Sequence, residues 1–513
     1  MLLADVVATS QAVAGTRSRL AKRAALADLL RRTEPEDLEV VVTYLAGELR
    51  QRRTGLGWAS LRAMPAPADE PSLTVGEVDA TFAAMADMSG AGSQGARAEA
   101  AQRLFGAATA DEQRFLAGLI SGDVRQGALD SIVLDALAEA SDVPAADIRR
   151  AAMLQGSTPP VAVAAMSGGR EAVAAAAVLS PGRAVRPMLA SSAPDVAGAL
   201  DKVGPALPAS VDTKLDGIRI QVHRVGDDVR VFTRSLDDIT DRVPQIADTV
   251  RGLDADPLVL DGEAVVIERD GRPAPFQDIA SLGATHPRGS APDLRSGEDV
   301  RVLSPVFFDV LHADGEDLLD RPLHARLDAL ERIAPGLGVP RLQTADAEAA
   351  QRFFEEAVAG GYEGVVVKSL DAPYDAGRRG AAWVKVKPRH TLDLVVLAVE
   401  WGSGRRKGWL SNIHLGARDP EGGFVMLGKT FKGMTDEMLQ WQTERFTELA
   451  VEGTDAHVVP LRPEQVVEVA FDGVQRSPRY PGGVALRFAR VLRYRDDKTP
   501  AEADTIDAVR ALG

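Results

Sequence analysis

The first third of the chain repeats apolar residues at helical spacing. Leu38, Val41, Leu45 and Leu49 recur on one face of a helix, and residues 33–36 (Thr-Glu-Pro-Glu) match a capping box with proline in the first turn. No convincing alternation of apolar and polar residues, the pattern of a strand, appears before about residue 180. An all-α domain is therefore predicted, and it is expected to span residues 1–182.

Beyond this point the pattern changes to that of strands. In residues 211–224 (VDTKLDGIRIQVHR), a turn at Asp216 and Gly217 is followed by apolar positions that alternate with polar ones. Further strands are predicted at residues 229–232, 258–267, 302–311, 365–367 and 381–388. After His390, apolar runs broken by glycines predict a compact all-β unit, consistent with a small barrel, and a helical tail. The second and third domains are thus expected at residues 183–389 and 390–513.

One lysine stands at the first of these turns. Lys214 ends a β-prone run, and an acid follows two residues later and an arginine five residues later. The chain has 59 lysines and arginines but only ten lysines, so a lysine inside a dense strand motif suggests a role that arginine cannot fill. A lysine amine can act as a nucleophile once it loses its proton, whereas a guanidinium cannot.

A second pair of lysines lies on one predicted strand. Lys385 and Lys387 alternate with Val384 and Val386, which places both ammonium groups on one face, about 7 Å apart at the backbone. Like charges side by side cost free energy unless an anion lies between them, and a phosphate fits that place. The alternative is a solvent-facing stripe beside a buried valine stripe.

Composition narrows the classes of function. The chain contains no cysteine, which excludes disulfides and zinc–thiolate sites. It has no apolar run near the roughly 20 residues of a membrane helix and no cationic start typical of a signal peptide, so a cytoplasmic protein without a membrane partner is expected. The net charge of −15 argues weakly against nucleic-acid binding, but local basic clusters such as Arg405, Arg406 and Lys407 permit a DNA or RNA partner.

Several motifs together supply the groups that phosphoryl chemistry on a nucleotide requires. These groups are a nucleophile, cations, an aromatic ring and carboxylates that can hold Mg²⁺. They are Lys214-Leu215-Asp216-Gly217, Thr233-Arg234-Ser235, Leu260-Asp261-Gly262-Glu263, Phe307-Phe308-Asp309, residues 363–368 (EGVVVK), residues 383–387 (WVKVK) and residues 485–490 (ALRFAR) with Asp497-Lys498. In order and spacing the chain resembles the ATP-dependent DNA ligases, which belong to the covalent nucleotidyltransferase superfamily that also includes mRNA capping enzymes.

The resemblance covers nearly the whole chain and implies a multidomain fold. It consists of an all-α N-terminal DNA-binding domain, an α+β nucleotidyltransferase domain with ATP-grasp-like antiparallel sheets, and a C-terminal all-β OB-fold. It also implies ATP and Mg²⁺, or Mn²⁺, as cofactors and a monomer that acts on nicked duplex DNA. AMP would be carried on a lysine, transferred to the 5′-phosphate of the nick and displaced by the 3′-hydroxyl.

Roles of single residues follow from the same resemblance. Lys214 would be the nucleophile, Phe308 would stack on adenine, and Asp212 would read the adenine amine, although the family usually has glutamate there. The other implied nucleotide contacts are Arg219 and Arg234, Glu263 to the ribose, Lys368 near the phosphates, Lys385 and Lys387 to the α-phosphate, and Arg487, Arg490 and Lys498 to the outer phosphates. The implied metal ligands are Glu363, Glu263 and Asp216, and the implied DNA contacts are Arg19, Gly57 and Arg125.

Two other classes of function stay open at this point. The first is another covalent nucleotidyltransferase, either an RNA ligase or a GTP-using capping enzyme, although capping enzymes generally lack a large helical N-terminal domain. The second is a non-catalytic module that binds DNA ends, which predicts a decayed nucleophile position, whereas Lys214 and its partners are intact.

Overall fold

The computed structural model describes residues 1–51, 54–61, 64–124, 126, 130–204, 208–268, 272–274, 277–279, 302–375 and 379–512. The described part of residues 1–188 contains helices and no strand. The helices are α1 (Leu3–Ala14), α2 (Arg19–Arg32), α3 (Leu38–Leu45), α4 (Trp58–Leu61), α5 (Val75–Asp87), α6 (Ser93–Ala107), α7 (Ala110–Ser121), α8 (Asp130–Ser141), α9 (Ala145–Leu154) and α10 (Pro159–Ala176). Their apolar faces share one core, which extends from Leu3 to Val173.

The helix predicted around residues 38–49 is shorter than expected. Helix α3 ends at Leu45, and its N-cap, Asp37, makes no side-chain capping bond. Thr33 instead donates its hydroxyl hydrogen to the carbonyl oxygen of Leu29 (2.8 Å), one turn earlier in the chain. The capping-box prediction at residues 33–36 was therefore wrong, because Thr33 ends α2 and does not begin α3.

The middle of the chain forms two five-stranded sheets. The first has the order β1-β10-β9-β2-β8 and the second the order β4-β3-β5-β6-β7. Neighbouring strands are antiparallel except for the parallel pair β1 and β10. The strands are β1 (Leu189–Ser192), β2 (Ala209–Lys214), β3 (Ile218–Val225), β4 (Asp228–Thr233), β5 (Leu258–Val265), β6 (Ser304–Ala313), β7 (Glu316–Asp317), β8 (Arg341–Thr344), β9 (Gly364–Ser369) and β10 (Arg379–Val386). Helices α11 (Val196–Val203), α12 (Pro244–Arg251), α13 (Leu323–Ile333) and α14 (Ala347–Ala359) accompany them.

The turn after Lys214 connects the two sheets. Strand β2 belongs to the first sheet and β3 to the second, so Lys214 lies where the chain crosses between them. The crossing needs a residue without a side chain at Gly217, where an added Cβ would lie 2.4 Å from the carbonyl oxygen of Ala264. The turn predicted from the sequence is present, and it joins two different sheets.

The C-terminal part is an all-β unit with its own core. Its main sheet has the order β13-β12-β11-β15-β18, with β14 beside β11, and β16 pairs with β17. The backbone N–H of Val491 donates to the carbonyl oxygen of Lys432 (2.9 Å), which links the two ends of the sheet. The strands are β11 (His390–Trp401), β12 (Leu410–Arg418), β13 (Phe424–Thr430), β14 (Val458–Pro460), β15 (Val466–Phe471), β16 (Gly473–Arg476), β17 (Val484–Arg487) and β18 (Arg490–Tyr494), and the helices are α15 (Asp436–Leu449) and α16 (Ile506–Arg510).

These three parts confirm the predicted fold class. In the barrel, β11, β12 and β13 lie side by side, and β15 lies on the other side of β11. Helix α15 follows β13 in the chain. This arrangement is that of an OB-fold. Apolar residues of α9 and the following segment, among them Leu154 and Val185, pack against Val259 and Leu311 of the second sheet, so the helical part is joined to the middle one through a shared core. In the described residues, no helix is both long enough and apolar enough to span a membrane.

Candidate active site

Lys214 and Glu363 form the centre of the site. The backbone N–H of Glu363 donates to the carbonyl oxygen of Lys214 (3.0 Å), and Lys214 pairs with Gly364 across β2 and β9. This register brings the Glu363 carboxylate into an ion pair with the Lys214 ammonium, and the same carboxylate pairs with Lys387. Burial raises the pKa of the Glu363 carboxyl, but Lys214 and Lys387 outweigh burial and hold that pKa below its usual value.

A cleft between the two sheets opens beside Lys214 and encloses about 200 Å³. Both sheets contribute to its walls, which fits a small-molecule site at the junction of two layers. Eight of the sequence-predicted site residues line it, namely Asp212, Lys214, Arg219, Arg234, Glu263, Phe308, Lys368 and Lys385. Trp383, Leu189 and Ala190 also line the cleft, and the sequence analysis had given none of these three a separate role.

Aromatic rings form one end of the cleft. Phe308 and Trp383 pack edge to face with ring centroids 5.8 Å apart. Phe308 is followed by Asp309, which is fully buried and accepts two hydrogen bonds from Arg326 (2.7 and 3.0 Å), so the strand that carries the ring is firmly anchored. A planar base fits against such a pair of rings.

Lys368 lies at this aromatic end. Its ammonium is 4.7 Å from the centroid of Phe308 and 4.3 Å from that of Trp383, and it pairs with the carboxylate of Asp212 at 2.7 Å. Both charged residues are only 2 % exposed. Burial lowers the pKa of Lys368, and Asp212 opposes this shift. The strand register sets Lys368 opposite Trp383, and both Lys368 and Lys385 line the cleft.

Arg219 is held in a buried ion pair. Its guanidinium donates to both carboxylate oxygens of Asp261 (3.1 and 2.7 Å) and to the carbonyl oxygen of Met188 (2.7 Å). Tyr374 completes the group, since its hydroxyl donates to Asp261 at 2.6 Å. Asp261 stood in a motif but carried no expected role, and Tyr374 was missed; nothing in the local pattern around Tyr374 marks it.

Glu263 lies on β5 beside the turn after Lys214. Its carboxylate accepts a hydrogen bond from the backbone N–H of Gly217 (3.2 Å). Burial raises the pKa of Glu263 to about 7, even though Lys214 and Arg219 act in the opposite direction. The side chain therefore exchanges its proton close to neutral pH.

The barrel reaches this site through ion pairs. Arg487 donates to the Asp216 carboxylate (2.8 Å), and Asp472 lies between Lys387 (3.3 Å) and Arg490 (3.5 Å). Burial lowers the pKa of Lys387, but Glu363 and Asp472 more than offset burial and raise it. Lys498 pairs with Asp393 (2.5 Å) inside the barrel, so the structure does not bring it to the cleft.

The remaining expected residues lie elsewhere or outside the described part. Arg19 is largely exposed and pairs with Asp135 (2.9 Å) on the helical domain, and Gly57 immediately precedes α4. Arg125 lies outside the described residues. Among the described residues no group of three or more histidine, aspartate or glutamate side chains is arranged to hold a metal ion.

A lysine at the crossing of two sheets, an acid paired with it, an aromatic end of the cleft and a barrel paired with the turn after the lysine fit the class of covalent nucleotidyltransferases. Matches to protein-family models show which family of nucleotidyltransferases is present. The ATP dependent DNA ligase domain matches residues 187–387, the ATP dependent DNA ligase C terminal region matches residues 406–498, and the DNA ligase N terminus matches residues 59–138.

Individual relatives agree with these profiles. A probable DNA ligase of Beutenbergia cavernae is 67% identical over 517 residues, which cover 100% of this chain and 99% of the relative. A probable DNA ligase of Nocardioides sp. is 61% identical, again over 100% of this chain and 99% of the relative. The solved structure of Pmar-Lig_PreS3 has the same fold, with a TM-score of 0.63 and 19% identity over 96% of this chain and 99% of that one. The chain belongs to the ATP-dependent DNA ligase family.

Proposed function

We propose that this protein seals nicks in duplex DNA through an AMP–lysine intermediate at Lys214. The observation that carries the proposal is the ion pair of Lys214 with Glu363 at the mouth of a cleft whose other end is aromatic. The cleft offers a base platform at one end and cations at the other, the arrangement that an adenine nucleotide requires.

In this proposal Lys214 leaves the ion pair, loses its proton and attacks the α-phosphorus of ATP. A P–N bond forms, the bond to the β-phosphate oxygen breaks, and pyrophosphate leaves. Before the attack, Glu363 would position the Lys214 ammonium through their ion pair. The same carboxylate also pairs with Lys387 and so connects two cations of the site. In the following steps AMP passes to the 5′-phosphate of the nick, and the 3′-hydroxyl displaces it.

The surrounding residues would take the roles that the resemblance to the family implies. Phe308 would stack on adenine, Glu263 would bind the ribose, and Lys385 and Lys387 would hold the α-phosphate. Arg487 and Arg490 would contact the outer phosphates, and Lys498 would join them after leaving Asp393. Arg219 and Arg234 would face the nucleotide and the nick phosphate, with Arg219 positioned by Asp261.

Mg²⁺, or Mn²⁺, is expected to bind with the phosphates. The carboxylates of Glu363 and Asp216 are suited to this use, because Glu363 pairs with Lys214 and Asp216 lies two residues after it. Mg²⁺ commonly binds one or two carboxylates together with phosphate oxygens and water. Glu263 would contribute once it is ionised. The metal would supply charge neutralisation on the phosphates.

The DNA would be held mainly by its backbone. The helical domain, expected at residues 1–182, would grip phosphates through Arg19, Gly57 and Arg125 without reading sequence. A monomer that encircles the nick, in the cytoplasm and near the nucleoid, fits this use. The nucleotidyltransferase and barrel domains are proposed to meet at residue 389.

A sealing assay tests the proposal. Duplex DNA with one labelled 5′-phosphate at a nick is incubated with the protein, Mg²⁺ and either ATP or GTP, beside the same nick with a 5′-hydroxyl and a nicked RNA duplex. Sealing of the phosphorylated DNA nick with ATP alone is expected. Sealing of the RNA only, or with GTP only, would overturn the proposal in favour of an RNA ligase or a capping-type enzyme.

A further inference from the structure

The hydroxyl of Tyr374 lies at the centre of a buried hydrogen-bond network. Tyr374 is 1 % exposed, and its hydroxyl donates to the Asp261 carboxylate (2.6 Å) and accepts from the backbone N–H of Met188 (3.0 Å). The Arg219 guanidinium also donates to this oxygen, at 3.5 Å. Burial raises the pKa of the hydroxyl well above its usual value, and Asp261 adds to the shift. The hydroxyl therefore keeps its proton, and all of its hydrogen-bonding capacity is used inside the protein.

Arg219 is the residue on which this network converges. Its guanidinium donates to both carboxylate oxygens of Asp261 and to the carbonyl oxygen of Met188, the residue whose N–H is bound by Tyr374. A guanidinium has five N–H donors in a rigid plane, so these bonds to the protein leave few donors for a ligand. The Arg219 side chain is 16 % exposed and lines the nucleotide cleft. The network around Tyr374 thus decides where the remaining donors point.

Alternate polar side chains of β3 bind the segment that leads from the helical part of the chain to β1. They lie on one face of the strand because side chains alternate along it. Each binds the backbone of the segment, and the pairs are Gly182 with His223, Val185 with Gln221, and Met188 with Arg219. Of these pairs, the one at Arg219 borders the cleft. Arg219 therefore lies where the linking segment, the second sheet and the nucleotide site meet, and Tyr374 binds the network at this point.

The ring of Tyr374 has a separate contact with the aromatic end of the cleft. It packs edge to face against Trp383, with ring centroids 5.9 Å apart. The central carbon of the Arg219 guanidinium lies 5.8 Å from the Trp383 centroid and 5.3 Å from that of Phe308, so these rings enclose the cation. The backbone of Tyr374 is fixed as well, because its N–H donates to the carbonyl oxygen of Leu319 (2.8 Å). Phenylalanine at this position would keep the ring contacts and lose only the hydrogen bonds of the hydroxyl.

We infer that Tyr374 is a positioning residue for Arg219 in nick sealing. Its hydroxyl holds the Asp261 carboxylate and the Met188 backbone in the arrangement that gives the guanidinium a single orientation at the cleft. The inference rests on the proposed nick-sealing function, in which Arg219 faces the nucleotide and the nick phosphate. Tyr374 does not line the cleft, so it acts through Arg219 and not by touching a reactant. A buried network whose members are all hydrogen-bonded is suited to this use, since it fixes the side chain that contacts the substrate.

A double-variant cycle tests whether Tyr374 acts through Arg219. The measured rate is single-turnover sealing of a DNA nick that already carries AMP on its 5′-phosphate, so the transfer of AMP to the protein does not enter. Tyr374→Phe is expected to slow sealing by about tenfold, since a displacement of about 1 Å at a positioned group can cost up to about a hundredfold. Arg219→Lys keeps the charge beside Asp261 but loses the planar fork that the network aligns. In that background Tyr374→Phe should slow sealing by less than about twofold more.

A matched variant in the barrel controls for stability. The hydroxyl of Tyr494 donates to the side chain of the fully buried Gln442 at 2.6 Å, the same distance as in the bond from Tyr374 to Asp261. Tyr494→Phe therefore removes a similar hydrogen bond far along the chain from Arg219. Urea unfolding is expected to show a lower midpoint for both phenylalanine variants, whereas sealing should slow only in Tyr374→Phe. This comparison separates the loss of positioning from the loss of stability.

Two results would overturn the inference. One is sealing by Tyr374→Phe within about twofold of the rate of the unchanged protein. The other is slowing by the same factor with arginine and with lysine at position 219, which would mean that Tyr374 supports the fold and does not act through Arg219. Failure of the unchanged protein to seal nicked DNA would instead refute the proposed function, so the two failures are distinguishable.

Discussion

The guanidinium of Arg487 lies 2.8 Å from the carboxylate of Asp216, although 271 positions separate the two residues in the chain. Asp216 is two residues beyond Lys214, so this contact closes the barrel over the nucleophile. Burial lowers the pKa of Arg487, but Asp216 more than offsets this and raises it, which keeps the cation charged beside the turn after Lys214. A cation in this place is suited to the outer phosphates of ATP and has no evident use once pyrophosphate has left.

Replacement of Arg487 should therefore slow the transfer of AMP to the protein more than the sealing of the nick. Arg487→Ala is expected to slow AMP transfer from ATP to the protein by about a hundredfold, the usual loss when a charge-stabilising donor is removed. Sealing of a nick that already carries AMP on its 5′-phosphate should be much less affected. The two rates are measured separately, with Arg493→Ala as the control, because Arg493 pairs with Glu468 elsewhere on the barrel. Equal losses in both assays would contradict the assignment.

The Asp212–Lys368 pair should behave as a coupled unit. Both residues are 2 % exposed, so removal of one partner leaves the other charge buried without its nearest counter-charge. Asp212→Asn and Lys368→Met are each expected to lower the free energy of unfolding by about 3–5 kcal/mol, and the double variant by clearly less than the sum. Urea unfolding measures all three, and Lys202→Met, at an exposed lysine, should lie within about 0.5 kcal/mol of the unchanged protein. If the loss in the double variant equals the sum of the two single losses, the two residues do not stabilise each other.

Glu263 should make stability depend on pH near neutrality. Its folded-state pKa of about 7 lies above the usual 4.5, so between these values the folded state binds a proton that the unfolded state does not. Its contribution to stability is therefore present at low pH and is lost as the pH rises through about 7. Glu263→Gln, which stays neutral and can still accept from Gly217, is expected to be more stable than the unchanged protein by about 1 kcal/mol at pH 8 and to lose this advantage near pH 5.

Thermal unfolding at the two pH values measures the Glu263 effect. A gain of the same size at both would mean that the carboxyl does not titrate in this range. AMP transfer should fall in the variant at both pH values, since the proposed ribose contact is altered.

His223 should make the stability of the protein fall as the pH drops, which is the opposite of the effect of Glu263. It is 1 % exposed and accepts a hydrogen bond from the backbone N–H of Gly182 (3.1 Å), just where the helical part joins the sheets. Burial lowers its pKa to about 3, with the charges of His312 and Arg230 as smaller causes. The unfolded chain takes up a proton near pH 6.5 while the folded one does not, so stability falls as the pH drops from about 6.5 towards 3.

Replacement of His223 should remove this dependence. His223→Gln is expected to reduce the stability lost between pH 6 and pH 5 by about 1 kcal/mol, whatever its constant cost at pH 7. Urea unfolding followed through the central domain at pH 7, 6 and 5 measures it. An unchanged slope against pH would refute the assignment.

The sequence predicted the features that depend on local pattern. The alternation after Gly217 and around Lys385 led to correct strands, and the joint motifs led to the correct family. The capping box at Thr33 failed because a threonine can end a helix by bonding back to the preceding turn as well as begin one. The contact of Tyr374 with Asp261 could not be predicted, since it joins positions 113 apart through the packing of two sheets.

The position of Lys368 shows the same limit. The EGVVVK motif does not show its neighbours, whereas the register of β9 against β10 places it opposite Trp383 and it pairs with Asp212. The contact of Lys387 with Asp472 likewise depends on how two domains meet, which no periodicity encodes.

The central claim, that Lys214 carries AMP, is tested most directly by covalent label transfer. The protein and its Lys214→Arg variant are incubated with Mg²⁺ and ATP labelled at the α-phosphate, and the labelled peptide is identified after denaturation. Arginine keeps the positive charge beside Glu363 but is not a nucleophile, so label on the unchanged protein at Lys214 and none on the variant is the predicted result. Equal labelling of the variant, or label at another residue, would contradict the account.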